Sequence, residues 1–294
     1  MGATEIALMG AGGEPVDLWR TIVSHGVAAL PPNVVDEEAR TLATTLSLDG
    51  RTATTLRIAA GRPGHARVEV HGRPSRAALD RVRHMLGLDE DLSPFYVQAT
   101  GDPELAWVVA GAGRMLRSAT VFEDVAKTIC TTNCAWSATE RMVGALVDNL
   151  GTPGRDGRAF PTPTAMAEAP VEFYRDVARA GYRGAYLRSL ASSVADGSVD
   201  LEQLARDRDL SDDEVERRLL ALPGVGPYAA AHVMMLIGRY SRLILDSWTR
   251  PKYARLNGKP AVSDRTILRR FRPYGRYAGL AFWLYLTRDW VAEG

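Results

Sequence analysis

The chain has 294 residues, with 36 Lys and Arg against 35 Asp and Glu for a formal net charge of +1, and 46% hydrophobic and 24% charged residues. This is an ordinary globular composition, long enough for a sizeable core and for two domains. A membrane span is excluded, because no apolar run reaches the roughly 18 residues required. The opening MGATEIALMGAGGEP has no basic segment before an apolar core and no Ser or Thr at its sixth position. Neither a secretion signal nor myristoylation is expected, and the expected location is cytoplasmic.

Residues 52–60 (TATTLRIAA) and 65–72 (HARVEVHG) are rich in β-branched residues and flank GRPG, which predicts a hairpin. SRAALDRVRHML (75–86) then reads as an amphipathic helix opened by Ser75. Residues 1–86 are therefore read as a small α/β domain with an antiparallel sheet. From 87 to 294 the apolar spacing is helical almost throughout. VFEDVAKTICTTN, SATERMVGALVDNLG, PVEFYRDVARAG, YRGAYLRSLASSVADG and DDEVERRLLAL each repeat apolar residues at helical intervals. The only cysteines, Cys130 and Cys134, fall one helical turn apart. Two thiols do not make a structural zinc or iron–sulfur site, so buried thiols in a reducing compartment are expected. Ser211 and Glu214 predict a capping box, and a final helix is predicted from about Tyr277 to Val291. The fold class is α+β: a sheet-bearing domain at 1–86 and a mostly helical domain at 87–294.

Between two predicted helices lies LPGVGPY, residues 222–228. Gly224 and Gly226 can take the tight or left-handed conformations that end one helix and begin the next, and Pro227 suits a first turn. Without side chains there, an anion can approach the backbone and the amides at the helix start. The stretch is not a nucleotide-binding P-loop, since it has neither the spacing nor the Lys. A plain helix–turn–helix connection is the other reading. Eleven basic residues follow between Arg239 and Arg276, opposed within the tract only by Asp246 and Asp264. They are either a phosphate-gripping patch or a solvated surface.

L-P-G-V-G between helices resembles the hairpin of helix–hairpin–helix proteins, which holds a DNA backbone phosphate without reading sequence. Asp246 in RLILDSWTR, twenty residues after Gly226, narrows the resemblance to the base-excision DNA glycosylase superfamily, with 3-methyladenine DNA glycosylase II and 8-oxoguanine DNA glycosylase as its nearest types. The similarity runs through FEDVAKTICTTN, GYRGAYLRSLA, the hairpin, Asp246 and RPYGRYAGLAFWLYL. It implies that Asp246 is catalytic, stabilising positive charge on the sugar and orienting or deprotonating the attacking water. A helix cap is the alternative role for Asp246.

Bifunctional members carry a Schiff-base Lys two residues after the second hairpin Gly; here that position is Tyr228. Tyr228 matches an aromatic of the 3-methyladenine enzyme, and Trp283 matches a second that stacks on the flipped base, a pocket suited to cationic alkylated purines. Either could instead be core. The positions that hold a Cys and a Gln in oxoguanine-specific members are His232 and Phe282 here, which places Phe282 in the base pocket, and the usual Pro two before the Asp is Ile244. His232 is read as lining the pocket or as a satisfied core residue. Asn133 in CTTNCAW matches the residue that fills the gap left by the flipped base, or is a turn residue.

The resemblance therefore implies a monofunctional glycosylase acting as a monomer on a damaged, alkylated purine in double-stranded DNA. Leu222, Gly224, Val225, Gly226, Asn133, Arg250 and Lys252 would meet the DNA. No organic cofactor or catalytic metal is implied, and a monovalent cation would sit on hairpin carbonyls as in relatives. The alternatives are an oxidised-guanine glycosylase on the same fold and a non-catalytic binder of damaged or bent DNA.

Overall fold

The computed structural model describes residues 2–291. Five strands form one antiparallel sheet: β1 (Gly2–Ala7), β2 (Val34–Asp36), β3 (Thr41–Ser47), β4 (Ala53–Ala60) and β5 (His65–Val70), in the order β1-β5-β4-β3-β2. β4 and β5 are the predicted hairpin, paired from Leu56↔Val70 to Ala60↔Ala66. Alternation decides which face is buried. Leu56, Ile58, Ala66, Val68 and Val70 point inward and meet Ala78, Val82 and Met85 of the helix Arg76–Met85. Each large apolar side chain so buried contributes about 1.5–3 kcal/mol. Ser75 caps that helix, its side chain accepting from the amide of Ala78 at 3.1 Å.

The helical part has two apolar cores. One is built from the helices Val121–Thr131, Trp136–Leu150, Arg183–Ala195 and Asp212–Leu220, together with Val27 and Leu30 from the sheet-bearing part. The other joins Leu92–Met115 to the C-terminal helices, ending with Ala278–Thr287. The helix Pro227–Leu236 divides them. Ala229, Ala230, Val233 and Met234 enter the first core, and Ala231, Met235 and Leu236 the second. A helix that serves two cores must be apolar all round, which is why PYAAAHVMML lacks a polar face. No helix among the described residues is long and apolar enough to cross a membrane.

Three expectations change in detail. PVEFYRDVARAG gives only a short, wide π-helical turn at Phe173–Val177, ended by left-handed backbone at Arg179 (φ 50°) and Gly181 (φ 58°). The final helix is Ala278–Thr287 and stops short of the predicted end at Val291, because the chain turns after Arg288 and the Trp290 amide closes on the Thr287 carbonyl at 3.0 Å. The capping box is half made. Ser211 accepts from the amide of Glu214, while the Glu214 carboxylate turns to Arg217 and Arg218.

The sheet-bearing and helical parts are tied by a buried ion pair and by buried hydrogen bonds. Arg114 reaches Glu14 at 2.5 Å and Lys127 donates to the Leu30 carbonyl at 3.3 Å, while Glu90 takes Arg117 and the Tyr240 hydroxyl within the helical part. The loop Ser24–Gly26 is held by Leu116, whose amide donates to Ser24 Oγ and whose carbonyl meets His25, and by Trp283, which donates to the Ser24 carbonyl; this places His25 against the dividing helix, where the candidate site lies.

Candidate active site

The hairpin comes first. The helix Asp212–Leu220 ends and Gly224 takes the left-handed conformation (φ 80°), which glycine adopts without strain. A Cβ at Gly224 would stand 2.6 Å from Cδ2 of Tyr186. Gly226 is extended instead (φ −97°, ψ −176°) and serves as N-cap of Pro227–Leu236; nothing lies within 4 Å of where its Cβ would be. Only one of the two glycines is therefore left-handed, and the other is needed for open space. No side chain caps the helix that follows, so its first amides are offered outward. Val225 is buried beneath the turn and Leu222 is half-buried.

The Asn133 loop joins the same surface. Asn133 is exposed with φ 48°, and its amide lies 3.5 Å from the Tyr182 hydroxyl. Tyr182 packs on Tyr186, the ring beneath Gly224. Arg183 donates to the Thr132 carbonyl and fixes the loop from below. Asn133, two exposed tyrosines and the hairpin thus form one continuous face.

Asp246 lies C-terminal to the dividing helix, on the way into Thr249–Leu256. Its Oδ1 accepts from the amides of Trp248 (2.8 Å) and Thr249 (2.7 Å), while its own amide donates to Thr249 Oγ1 at 2.8 Å. The capping role weighed from sequence is real, and it leaves the other carboxylate oxygen free. Among the described residues, Oδ2 has no hydrogen-bond partner. Tyr228 lies within range of that charge. Burial raises the Tyr228 hydroxyl above its usual range, the Thr131 contact opposes this, and the negative charge of Asp246 adds to it. The Tyr228 hydroxyl is 3.3 Å from Thr131 Oγ1.

His232 follows Tyr228 one turn on, with ring centroids 6.1 Å apart, and is buried. Its other face meets His25 of the sheet-bearing part, edge to face at 5.5 Å. Burial pushes His232 down to about 3 and His25 to about 4, so both are neutral at pH 7. His25 Nε2 is 2.8 Å from the Leu116 carbonyl, which only accepts, so Nε2 carries the proton and Nδ1 is a bare acceptor. Nδ1 of each ring is buried without a partner. Beside His25, a Cβ at Gly26 would sit 3.5 Å from the Trp136 ring.

Two aromatic assignments shift. Phe282 is fully buried, its ring against Phe271 (5.3 Å) and Tyr253 (6.1 Å), so it is a core residue and not a pocket wall. Trp283 is buried as well, with Nε1 donating to the Ser24 carbonyl at 2.8 Å. Its ring is covered by Trp248 and Trp290.

The basic tract is also corrected. Arg250 is held bidentate by Asp264 (2.7 and 3.0 Å), and Lys252 by Asp289 at 2.5 Å, so neither is a free phosphate contact. Arg239, Arg242 and Arg270 are likewise paired, with Asp212, Glu216 and Asp102. Counting charge along the chain included Asp264 but missed Asp289, Asp212, Glu216 and Asp102, which lie outside the tract. Arg255, Lys259, Arg265, Arg269 and Arg272 remain exposed. The chain has three lysines. Lys127 is buried against Glu123 at 2.8 Å and Lys252 is tied to Asp289, which leaves Lys259.

His25, Trp248 and Trp290 were not among the predicted site residues. His25 sits in a part of the chain with no recognisable pattern, and Trp290 lies in a tail whose path only the fold reveals.

No protein-family model matches the chain. A DNA-3-methyladenine glycosylase of Bacillus subtilis (strain 168) is 24% identical over 165 residues, 54% of this chain and 54% of its own. The chain spans about half the length of the curated relatives it matches. Among solved structures, the 3-methyladenine DNA glycosylase from Archaeoglobus fulgidus superposes with a TM-score of 0.73 at 23% identity, covering 98% of this chain and 100% of that one. The apo 8-oxoguanine glycosylase/lyase of Clostridium acetobutylicum gives 0.74 at 20% identity, over 97% of this chain and 96% of its own. At these identities the fold is what is shared, and it is the fold of these DNA glycosylases, N-terminal sheet included.

Proposed function

We propose that the chain is a monofunctional DNA glycosylase. It binds duplex DNA, turns out an alkylated purine and hydrolyses the N-glycosidic bond, opening base-excision repair. The observation that carries this is Asp246: one oxygen pinned by two amides, the other unpartnered, beside the aromatic start of the hairpin helix. As the purine departs, positive charge builds on the deoxyribose, and a fixed carboxylate stabilises it at once because it needs no reorganisation. The same oxygen can orient or deprotonate the water that attacks C1′. Tyr228 stands where a Schiff-base Lys would be, and two of the three lysines are held in ion pairs, so hydrolysis rather than lyase chemistry follows.

On this reading the uncapped helix start after Gly226 takes a backbone phosphate, with Leu222 and Val225 shaping the turn and Gly224 making it possible. Asn133 enters the gap left by the extruded base. Exposed Arg255, Lys259, Arg265, Arg269 and Arg272 take over the phosphate contacts first given to Arg250 and Lys252. Tyr228 and His232 line the base site. The protein acts as a monomer and uses no organic cofactor, with a monovalent cation on the hairpin carbonyls.

The test is product analysis on duplexes that each hold one alkylated purine, or one 8-oxoguanine. Release of free alkylated base, with strand breakage only after alkali, is the expected result. Breakage without alkali, with a borohydride-trapped adduct, would contradict the monofunctional assignment. Release from the 8-oxoguanine duplex alone would move the substrate to oxidised guanine, and tight binding with no release would make the chain a binder.

A further inference from the structure

Three tryptophans meet beside Asp246. Ring centroids of Trp248 and Trp283 are 5.7 Å apart, those of Trp248 and Trp290 5.7 Å, and those of Trp283 and Trp290 5.8 Å. They are not equivalent. Trp283 is 8% exposed and its indole N–H is spent on the Ser24 carbonyl, whereas Trp248 and Trp290 are each 40% exposed. Trp283 is the anchored base of the cluster, and its partners are the surface.

The position of this surface is set from two sides. The Trp248 amide donates to Asp246 Oδ1 at 2.8 Å, which fixes the backbone that carries this ring beside the carboxylate. Trp290 also lines a groove of about 680 Å³ together with Val23, His25, Gly26 and Asn33 of the sheet-bearing part. Exposed aromatic faces of this size are costly to leave in water unless something covers them. A π-surface next to an unpartnered carboxylate fits a flat, electron-poor ring attached to a sugar that is becoming positive. Indole is the strongest of the aromatic side chains for attracting a cation over its face.

We propose that Trp248 and Trp290, and not Trp283, form the stacking surface that receives the extruded base, with cationic alkylated purines held best. The inference rests on the glycosylase reading. It assigns Trp283 to a supporting place, carrying the other two rings on its edges. Trp248 holds a double position: its ring meets the base and its backbone steadies the carboxylate. Substitution of the side chain leaves the amide contact intact, so the two contributions can be separated.

The experiment compares two duplexes. One carries a cleavage-resistant, 2′-fluorinated alkylpurine nucleotide, and the other a tetrahydrofuran abasic analogue with no base to stack. Trp248→Leu and Trp290→Leu should each weaken binding to the first duplex by on the order of tenfold or more, and slow single-turnover base release to match. Affinity for the abasic duplex should stay within about twofold. Trp248→Phe and Trp290→Phe should recover most of the loss. In wild type, tryptophan emission should be quenched by the first duplex and much less by the second, which needs no variant to fold. Equal losses on both duplexes, or no loss on either, would overturn the stacking assignment while base release by wild type left the glycosylase reading standing. Wild type that released no base from any lesion would instead overturn that reading, and the inference with it.

Discussion

At the scale of the residue, the two hairpin glycines show how identical side chains serve different needs. Gly224 is left-handed at φ 80° and its hydrogen faces the Tyr186 ring. Gly224→Ala meets both the backbone penalty and a 2.6 Å contact, and should lower stability by about 1–2 kcal/mol along with DNA affinity. Gly226 is extended with empty space around it, so Gly226→Ala should leave the unfolding midpoint within a degree or so of wild type. Its new methyl would stand where a phosphate reaches the helix start, so duplex affinity should still fall roughly tenfold. Thermal unfolding with fluorescence-anisotropy titration measures both. Wild-type affinity in Gly226→Ala would place the phosphate elsewhere. Asp246 carries the complementary lesson: capping and catalysis seemed rival readings, yet a carboxylate has two oxygens and only one is needed for the cap.

At the scale of the element, what was legible depended on whether the signal was local. The β4–β5 hairpin, the Ser75 and Ser211 caps and the helix after Pro227 follow from neighbours in sequence, and all are present. The half-made capping box fails for a local reason that sequence could have shown, since Arg217 and Arg218 lie one turn from Glu214 and compete for its carboxylate. The ion pairs of Arg250 and Lys252 could not be read this way, because Asp264 and Asp289 are brought to them by helix packing. Trp283 illustrates a subtler limit. Its place on an apolar helix matched a stacking residue, but which ring of a cluster is exposed depends on Trp248 and Trp290, from other segments. His25 is the extreme case, since it reaches His232 only through tertiary packing in which Leu116, 91 residues on, holds its ring.

At the scale of the whole molecule, that same junction makes stability depend on pH. His25 and His84 are held at about 4 and His232 at about 3, all chiefly by burial, against 6.5 for a free side chain. Below pH 6.5 the unfolded chain takes up protons that these three refuse when folded, so their stabilisation is present above pH 6.5 and is lost as pH falls toward 4. Asp124, raised to about 7 by burial, works in the opposite sense, gaining stability from pH 7 down to its ordinary value near 3.8. Three protons against one gives a net loss on acidification, at most about 3 kcal/mol per pH unit. The unfolding midpoint should therefore drop between pH 6.5 and 4.5, and His232→Phe should make the drop shallower. A midpoint that held constant over that range would show the histidines to be hydrated. The junction also brings together the hairpin, the aromatic cluster and Asp246, and the account stands or falls on that carboxylate. Asn at position 246 can still accept the Trp248 and Thr249 amides, so Asp246→Asn removes the charge and keeps the cap. Single-turnover release of an alkylated purine from duplex DNA, measured for wild type and Asp246→Asn, is the most direct test. The account predicts a loss of at least about a hundredfold in release, with unchanged affinity for an abasic duplex. Release within a few-fold of wild type would contradict it and move the chemistry to another group.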